Sequence, residues 1–504
     1  MGRGIRLLIS TLFILVVVFS CVRPDPKRRK LREGEFLADK YCKSCHLLPD
    51  PSELPRIAWL EILPKMGATM GMQTTMEENR YSYLLKNVNA FPATPMMSDD
   101  EWALIKEYYT VLSEDSLTNP KTLINDEDLT LFEAIKVRMP DAPPQTCMVK
   151  FGNENDIYFG HALDGKLNRY NLTTESFSTI DIQGAASQLD FTNEGFRVLS
   201  MGDFPPNNRR EGMIYEINDS KIQDTVLTKL LRAVDMQFAD LNEDGLDDIV
   251  VSNFGFVLGS LDWFEASDEG YIEHRLRDLP GAIKSQVTDL NGDGHLDILA
   301  LMAQGDEGFF LYTGNGDGSF DENQIMQFPS TYGSSYFELV DFNDDGLKDI
   351  LYINGDNGDY SSPVYKPYHG LRIFLNTTTD TVSFSEAYFY HFNGGFRAIT
   401  NDYDLDGDLD IACISHFPDY NSTPEESFIY LENTGDGLQF EPKSIKEAYD
   451  GKWLVMDAAD YDLDGDIDLV LGSSPLMSLA DPVEFQSIWS KDPINLMILR
   501  NTIR

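Results

Sequence analysis

The chain has 504 residues, of which 42% are hydrophobic, and this length suffices for two or more folded domains with a sizeable core. Its 83 acidic and 40 basic residues give a net charge of −43. Nucleic acid is therefore excluded as a partner, because its phosphates require a basic surface.

The N-terminal segment predicts export and attachment to a membrane. Two arginines precede the apolar run 7–20, which is the layout of a secretory signal peptide over residues 1–21. The run ends in a sequence that resembles a bacterial lipobox with Cys21 as the lipidated residue, although Phe19 departs from the small residue usual there. An uncleaved membrane anchor is the alternative. We expect a lipid-anchored protein on the periplasmic side of a bacterial membrane or at the outer membrane, with residues 22–32 as a basic tether.

The run Cys42-Lys43-Ser44-Cys45-His46 is the first motif that carries chemistry. A C-x-x-C-H sequence offers two thiols for thioether bonds to haem vinyl groups and one imidazole for the iron. A redox cysteine pair and half of a zinc site are alternatives at this spacing, but neither needs the adjacent histidine. No other cysteine pair has this spacing, so the second half of a zinc site is missing. We predict one covalent haem c, with Cys42 and Cys45 as the thioether residues and His46 as an iron ligand.

Residues 33–113 are predicted to form a small all-α domain around this motif. Ser98 and Glu101 have the spacing of an N-terminal capping box, and they precede apolar residues at the spacing of one buried helical face. A C-terminal helix packed across the helix that leads into C-x-x-C-H is the pattern of class I cytochromes c, which this segment resembles. A methionine thioether on the opposite face of the haem would stabilise the ferrous state, and a haem with both axial positions filled suits outer-sphere electron transfer.

Beyond residue 145, one sequence pattern recurs five times. The pattern is D-x-[DN]-x-D-G-x-x-D, in which oxygens at positions one, three, five and nine converge on one hard cation and the glycine at position six permits a sharp turn. Calcium is the natural occupant, and the flanks are strand-like, unlike the helices of an EF-hand. We predict about five calcium ions, held by Asp240, Asn242, Asp244 and Asp248; Asp289, Asn291, Asp293 and Asp297; Asp341, Asn343, Asp345 and Asp349; Asp402, Asp404, Asp406 and Asp410; and Asp460, Asp462, Asp464 and Asp468.

Each loop is followed directly by an apolar run of the kind that forms a buried strand, and the repeat length is that of one propeller blade. These repeats resemble the FG-GAP or VCBS family, whose repeats form calcium-stapled seven-bladed β-propellers. The resemblance implies a propeller over residues 146–504. Residues 190–195 are a degenerate copy that lacks the last ligand, and we expect no metal there. Residues 114–145 are expected to be a linker, with 132–138 as a strand that closes the last blade.

The predicted fold class is therefore multidomain, with a small all-α cytochrome c domain followed by an all-β seven-bladed FG-GAP/VCBS-type β-propeller. This combination resembles exported lipoproteins of the Bacteroidetes type that carry VCBS repeats. In that family a W-x-x-x-x-P-x-M stretch follows the haem motif, and here Trp59, Pro64 and Met66 stand in this order. The candidate distal iron ligands are Met66, Met70, Met72, Met96 and Met97. The family resemblance implies Met66, whereas resemblance to many class I cytochromes favours Met96 or Met97.

Three functions are compatible with this organisation. The first is a membrane-tethered electron carrier whose propeller docks a redox partner protein, a surface protein or a glycan, and this function requires no enzyme activity. The second is a quinoprotein-like or sugar dehydrogenase with a catalytic propeller, although the sequence has neither the Trp-rich blade signature of that quinoprotein class nor a nucleotide fingerprint. The third is an adhesion or scaffold module whose haem senses redox state. The calcium ions are expected to be structural in each case.

Overall fold

The structure is a computed structural model that describes residues 25–72, 91–122, 124, 129–153, 155–435, 437–475 and 481–504. These residues fall into two compact units, one of 25–44, 50–72 and 91–115, and the other of 45–49 and 116–504 without the gaps. The predicted signal peptide and Cys21 lie outside the described residues. Within the described ranges, every helix is too short or too polar to cross a bilayer.

The first unit is helical in its described part. It contains the α-helices α1 (Pro26–Tyr41), α2 (Arg56–Thr69) and α3 (Asp99–Leu112), and the 3₁₀ turns Cys42–Ser44 and Pro51–Glu53. Helix α1 begins at a proline, and the Asp25 side chain accepts a hydrogen bond from the amide of Lys27. Helix α3 begins with the predicted capping box, because Ser98 and Glu101 each bond the backbone amide of the other.

Helices α1 and α3 pack closely because α1 has no side chain at Gly34. A Cβ atom at Gly34 would overlap the Leu104 carbonyl oxygen and lie 2.8 Å from Cβ of Tyr108. Helix α2 joins the same core through Trp59, which is fully buried and whose ring lies 4.3 Å from the ring of Tyr109. The helix that leads into the C-x-x-C-H motif is thus packed against the last helix of the unit.

The second unit contains seven antiparallel sheets of four strands each, and this confirms the predicted seven-bladed β-propeller. The first strands of neighbouring blades contact one another, so they lie innermost. Blades 1 to 4 consist of β2 (Thr146–Phe151), β3 (Asp156–His161), β4 (Lys166–Asn171) and β5 (Ser176–Asp181); β6 (Ala186–Phe191), β7 (Phe196–Ser200), β8 (Gly212–Asn218) and β9 (Lys221–Leu230); β10 (Ala233–Ala239), β11 (Asp248–Asn253), β12 (Ser260–Ser267) and β13 (Gly270–Arg277); and β14 (Ala282–Thr288), β15 (Asp297–Met302), β16 (Gly308–Gly314) and β17 (Phe320–Gln327).

The last three blades carry longer connections between their second and third strands. Helix α4 (Val483–Lys491) lies in that connection of blade 7, and the 3₁₀ turn Pro424–Ser427 in that of blade 6. The strands are β18 (Ser334–Val340), β19 (Asp349–Asn354), β20 (Gly370–Asn376) and β21 (Phe384–His391); β22 (Gly395–Asn401), β23 (Asp410–Ser415), β24 (Phe428–Asn433) and β25 (Phe440–Lys443); and β26 (Trp453–Ala459), β27 (Asp468–Ser473), β28 (Leu496–Asn501) and β1 (Phe132–Val137).

Blade 7 combines the two ends of the propeller sequence. Strand β1 pairs antiparallel with β28, from Phe132 opposite Asn501 to Val137 opposite Leu496. Strand β1, the first strand of the propeller in the sequence, is therefore the outer strand of the sheet that also contains β28, the last strand. This pairing closes the ring and covers a strand edge that would otherwise be open to another chain.

The core of the propeller lies in the second strands. Every residue of β11, β15, β19, β23 and β27 is buried, as the apolar runs after the acidic loops predict. Cys413 lies on β23 and Cys147 on β2, and burial raises the pKa of both thiols. The sequence left the pairing of these two cysteines open, and the structure places them as buried thiols without a disulfide bond.

Candidate functional site

The five acidic loops occupy equivalent places in blades 3 to 7. Each connects the first strand of its blade to the second, so all five lie at the same end of the inner strands and on one face of the propeller. In blade 2, the same connection holds the degenerate copy, where the Thr192 hydroxyl accepts a hydrogen bond from the amide of Gly195. A turn is thus kept in blade 2, although Val198 stands in the place of the last carboxylate.

The glycine at position six and the aspartate at position one shape each loop. The glycine has a φ between 87° and 101°, a left-handed conformation that an L side chain rarely adopts. Its amide donates to Oδ2 of the position-one aspartate over 2.8–3.1 Å in every loop. The pairs are Gly245 with Asp240, Gly294 with Asp289, Gly346 with Asp341, Gly407 with Asp402, and Gly465 with Asp460.

The aspartate at position nine has a second role that the sequence did not reveal. Its side chain is fully buried at the start of the second strand, and its two oxygens accept backbone amides from position two of the loop and from the third strand. The amide donors are Leu241 and Ala266 to Asp248, Leu290 and Gly314 to Asp297, Phe342 and Asn376 to Asp349, Tyr403 and Asn433 to Asp410, and Tyr461 and Asn501 to Asp468, over 2.7–3.3 Å. Each of these carboxylates therefore fastens its loop to two neighbouring segments of the same blade.

The loops of blades 6 and 7 bring carboxylates close together. One oxygen each of Asp402, Asp404 and Asp410 lies within 4.8 Å of the others. The same spacing holds for Asp460 and its partners at positions three and five, Asp462 and Asp464. Burial raises the pKa of Asp410 to about 7, with the charge of Asp404 adding to the shift. These carboxylates repel one another, and a bound divalent cation would relieve that repulsion.

Orphaned oxygens in these two loops also fit a cation. Oδ1 of Asp402, of Asp408 and of Asp466 is buried and has no hydrogen-bond partner among the described residues. Buried polar atoms normally have a partner, and carboxylate oxygens are the ligands that calcium prefers. Asp408 and Asp466 stand at position seven of their loops. The sequence shows this additional aspartate in the last two repeats, but our ligand assignment did not include it.

The loops of blades 3 to 5 have asparagine at position three. In each, the asparagine amide donates to the aspartate at position five, over 3.3 Å for Asn242 to Asp244, 2.8 Å for Asn291 to Asp293 and 2.9 Å for Asn343 to Asp345. With fewer carboxylates at the ligand positions, mutual repulsion between these ligands is smaller than in blades 6 and 7. The predicted ligands at positions one, three and five are nevertheless close in space in these blades.

The C-x-x-C-H motif begins at the C-terminal end of α1. Cys42 is buried, and its amide donates to the Ala38 carbonyl as the cap of the helix. Cys45 is exposed. The half-buried His46 ring lies with Nδ1 2.8 Å from the Leu47 carbonyl oxygen, so Nδ1 is the donor and Nε2 is left with its lone pair. An imidazole held in this way through one nitrogen is suited to bind iron through the other, so the donor set fits a haem c.

Burial differs among the methionines considered as distal ligands. Met66 is partly exposed on α2, whereas Met70, Met72 and Met97 are buried in the same unit. The two segments that hold them are joined by a hydrogen bond from the Met96 amide to the Met70 carbonyl, 3.1 Å long. The assignment of Met66 remains a prediction.

Comparisons with known proteins match parts of the chain. Residues 289–352 and 402–471 match the FG-GAP-like repeat. A T-cell immunomodulatory protein homolog of Plasmodium falciparum is 29% identical over 162 residues, which cover 29% of this chain and only 22% of that protein.

Two solved structures are similar at low sequence identity. Virginiamycin B lyase from Staphylococcus aureus is 11% identical with a TM-score of 0.45, over 74% of this chain and 99% of that one. The β-propeller domain of Cps50 from Myceliophteria thermophila is 11% identical with a TM-score of 0.43, over 73% of this chain and 100% of that one. From the sequence match and the seven sheets together, residues 289–352 and 402–471 are FG-GAP-like repeats in a seven-bladed β-propeller.

Proposed function

We propose that this protein is an exported, membrane-tethered electron carrier with one covalent haem c, and that its calcium-bound propeller docks a redox partner protein or a surface glycan. The observation that carries the proposal is the C-x-x-C-H motif at the end of a helix that packs tightly, at Gly34, against the last helix of its unit. This packing is the one that the resemblance to class I cytochromes c implies.

Each of the two cysteines and the histidine of the C-x-x-C-H motif would hold the haem through a different atom. The thiols of Cys42 and Cys45 would bind the haem covalently, and Nε2 of His46 would bind the iron while Nδ1 stays on the Leu47 carbonyl. When bound, the haem supplies a one-electron redox centre. Met66 is our proposed distal ligand, and a thioether there would favour the reduced state.

The haem proposal is tested by absorption spectroscopy of protein produced with and without a c-type maturation system. We expect a haem band that survives denaturation in the matured sample and disappears in the C42A/C45A variant. A methionine-to-iron charge-transfer band should be lost in M66A and kept in M97A, a matched substitution of a buried methionine. No covalent haem in the matured protein would refute electron transfer, whereas loss of the band in M97A alone would move the distal ligand to Met97.

Five calcium ions in the acidic loops are the second part of the proposal. The orphaned oxygens of Asp402, Asp408 and Asp466 support it, because each is a buried acceptor without a partner among the described residues. Metal analysis of protein equilibrated with calcium and then dialysed against dilute calcium should give about five ions per chain. Removal of calcium with a chelator should lower stability by about 2.7 kcal/mol for each site that was filled at a hundred times its Kd. Unchanged stability after chelation would contradict the assignment.

Docking by the propeller is the third part. The described parts of the long connections of blades 5 to 7 lie at the end of the inner strands opposite the acidic loops, so a partner bound there would not disturb the cation sites. We expect no catalytic role for the propeller. Purified full-length protein should retain a redox partner or a glycan in a pull-down, and turnover of sugars or alcohols with an artificial electron acceptor would refute a purely binding role.

A further inference from the structure

Arg232 holds an unusual place in the propeller. It directly precedes β10, the inner strand of blade 3, at the end of that strand opposite the acidic loop. Blades 4, 5 and 6 have glycine at the equivalent place, Gly281, Gly333 and Gly394, each one residue before its inner strand. All seven inner strands start with the same pairing irregularity after their first residue, which makes the positions equivalent, and blades 1, 2 and 7 have Gln145, Ala185 and Lys452 there.

The backbone at this place favours glycine. The three glycines have φ values of 102°, 71° and 68°, and Arg232 has a φ of 49°. A side chain in the left-handed region is disfavoured, so arginine is a costly choice where three other blades use glycine. Strain of this kind is concentrated at sites where a side chain is needed.

The guanidinium of Arg232 is anchored by backbone carbonyls and not by a carboxylate. Nε and Nη2 donate to the Phe204 carbonyl over 3.1 and 3.0 Å, and Nη1 donates to the Gly255 carbonyl over 3.2 Å. The group also lies over the ring of Phe254, 5.4 Å from its centre. These contacts come from blades 2 and 3 and fix the direction of the charged group.

Two N–H groups of the Arg232 guanidinium are not used by these contacts, and its positive charge is not paired with a carboxylate among the described residues. A guanidinium has five N–H donors, and the carbonyl contacts use three of them, which leaves one on each Nη. Within the described part of the chain, Arg232 forms no salt bridge. Burial lowers the pKa of Arg232 to about 10, and the charge of the more distant Asp356 only partly opposes this effect.

We propose that Arg232 is the anchor of a binding site for a small carboxylate ligand, on the propeller face opposite the acidic loops. A carboxylate matches the site because its two oxygens can accept the two remaining N–H groups and its single charge balances the guanidinium. A phosphate would bring more negative charge than one arginine can neutralise. Arg232 as a whole residue is partly exposed.

The test uses full-length protein in constant excess calcium. The melting temperature is measured with increasing sodium acetate or sodium glucuronate, and with sodium chloride at equal ionic strength and uncharged methyl glucuronate as controls. We expect a rise of about 2 °C at ten times the Kd with a carboxylate, and none with either control. R232G should melt at or above the wild-type temperature without ligand, because glycine relieves the backbone strain, and should show no rise.

Two further variants keep the test decisive if R232G does not fold. R232Q keeps the side-chain length without the charge and should lose the response, whereas R232K keeps the charge and should retain a weaker one. An equal response of the wild type and R232Q to carboxylates would overturn the proposal. So would the absence of any carboxylate response in the wild type, and Arg232 would then be a structural link between blades 2 and 3.

Discussion

The aspartate at position nine of each acidic loop should stabilise the propeller even when no calcium is present. Asp349 is the clearest case, because it is fully buried and each of its oxygens accepts one backbone amide, from Phe342 over 2.8 Å and from Asn376 over 2.7 Å. Replacement by alanine removes both acceptors and leaves two buried amides without partners. The loop of blade 5 would then be released from the strand beside it.

The size of the effect follows from these two amides. A buried donor left without its partner costs about 1–3 kcal/mol, so D349A should lower the free energy of unfolding by about 4 kcal/mol. This loss does not depend on the metal, because both amides belong to the chain itself. Asp345, at position five of the same loop, is exposed and accepts a hydrogen bond from the Leu347 amide, which water can replace. D345A is therefore the matched control, with a loss of less than about 1 kcal/mol in chelator.

The assay is urea unfolding followed by circular dichroism, in calcium and in chelator. D349A should lose stability in both buffers, and more in calcium because Asp349 is also a predicted calcium ligand, whereas D345A should lose it chiefly in calcium. The reasoning is refuted if D349A and the wild type are equally stable in chelator, since Asp349 would then act only as a calcium ligand.

Three further predictions concern packing, pH and a buried ion pair. G34A should destabilise the helical unit by about 1–3 kcal/mol, because a Cβ there overlaps the Leu104 carbonyl; thermal unfolding measures this. Burial raises the pKa of Glu307 from 4.5 to about 7. Between these pH values the folded protein keeps a proton that the unfolded chain releases, so the free energy of unfolding should fall by about 3 kcal/mol as the pH rises. E307Q should remove the part of the slope that Glu307 contributes in urea titrations between those pH values, whereas the part due to Asp410 and Asp468 should stay. The ammonium of Lys452 lies 2.6 Å from the Asp481 carboxylate, both buried, and D481A should lower the free energy of unfolding by about 3–5 kcal/mol in urea.

Each of these predictions has a control. E33A changes an exposed residue one position from Gly34 on α1 and should leave the melting temperature within about 1 °C of the wild type. A pH slope that is undiminished in E307Q would assign it to other groups. The double variant K452M/D481L should be more stable than D481A, because it removes the unpaired charge; equal stability of the two would contradict the assigned cause.

The blade count could be predicted from the sequence because its signals are local. An acidic loop, a glycine at position six and an apolar run directly after the loop all act within about fifteen residues, and five of the seven blades repeat them. The segment 132–138 was expected to close the ring because the last repeat lacks a return strand, and β1 occupies that place. The capping box at Ser98 is local in the same sense.

Other properties depend on residues far apart in the chain, and the sequence alone did not decide them. The amide partners of Asp349 lie 7 and 27 positions away, so its role as a buried anchor appears only when the third strand is in place. Arg232 gained its contacts from Phe204 and Gly255, 28 and 23 positions away. Local sequence patterns thus determined the repeats and the chemistry of their loops. They also carry the prediction of a haem at the C-x-x-C-H motif. Packing between distant segments decided which polar groups are buried and which of them bond to the backbone. It also decided which groups keep an unused hydrogen-bond donor.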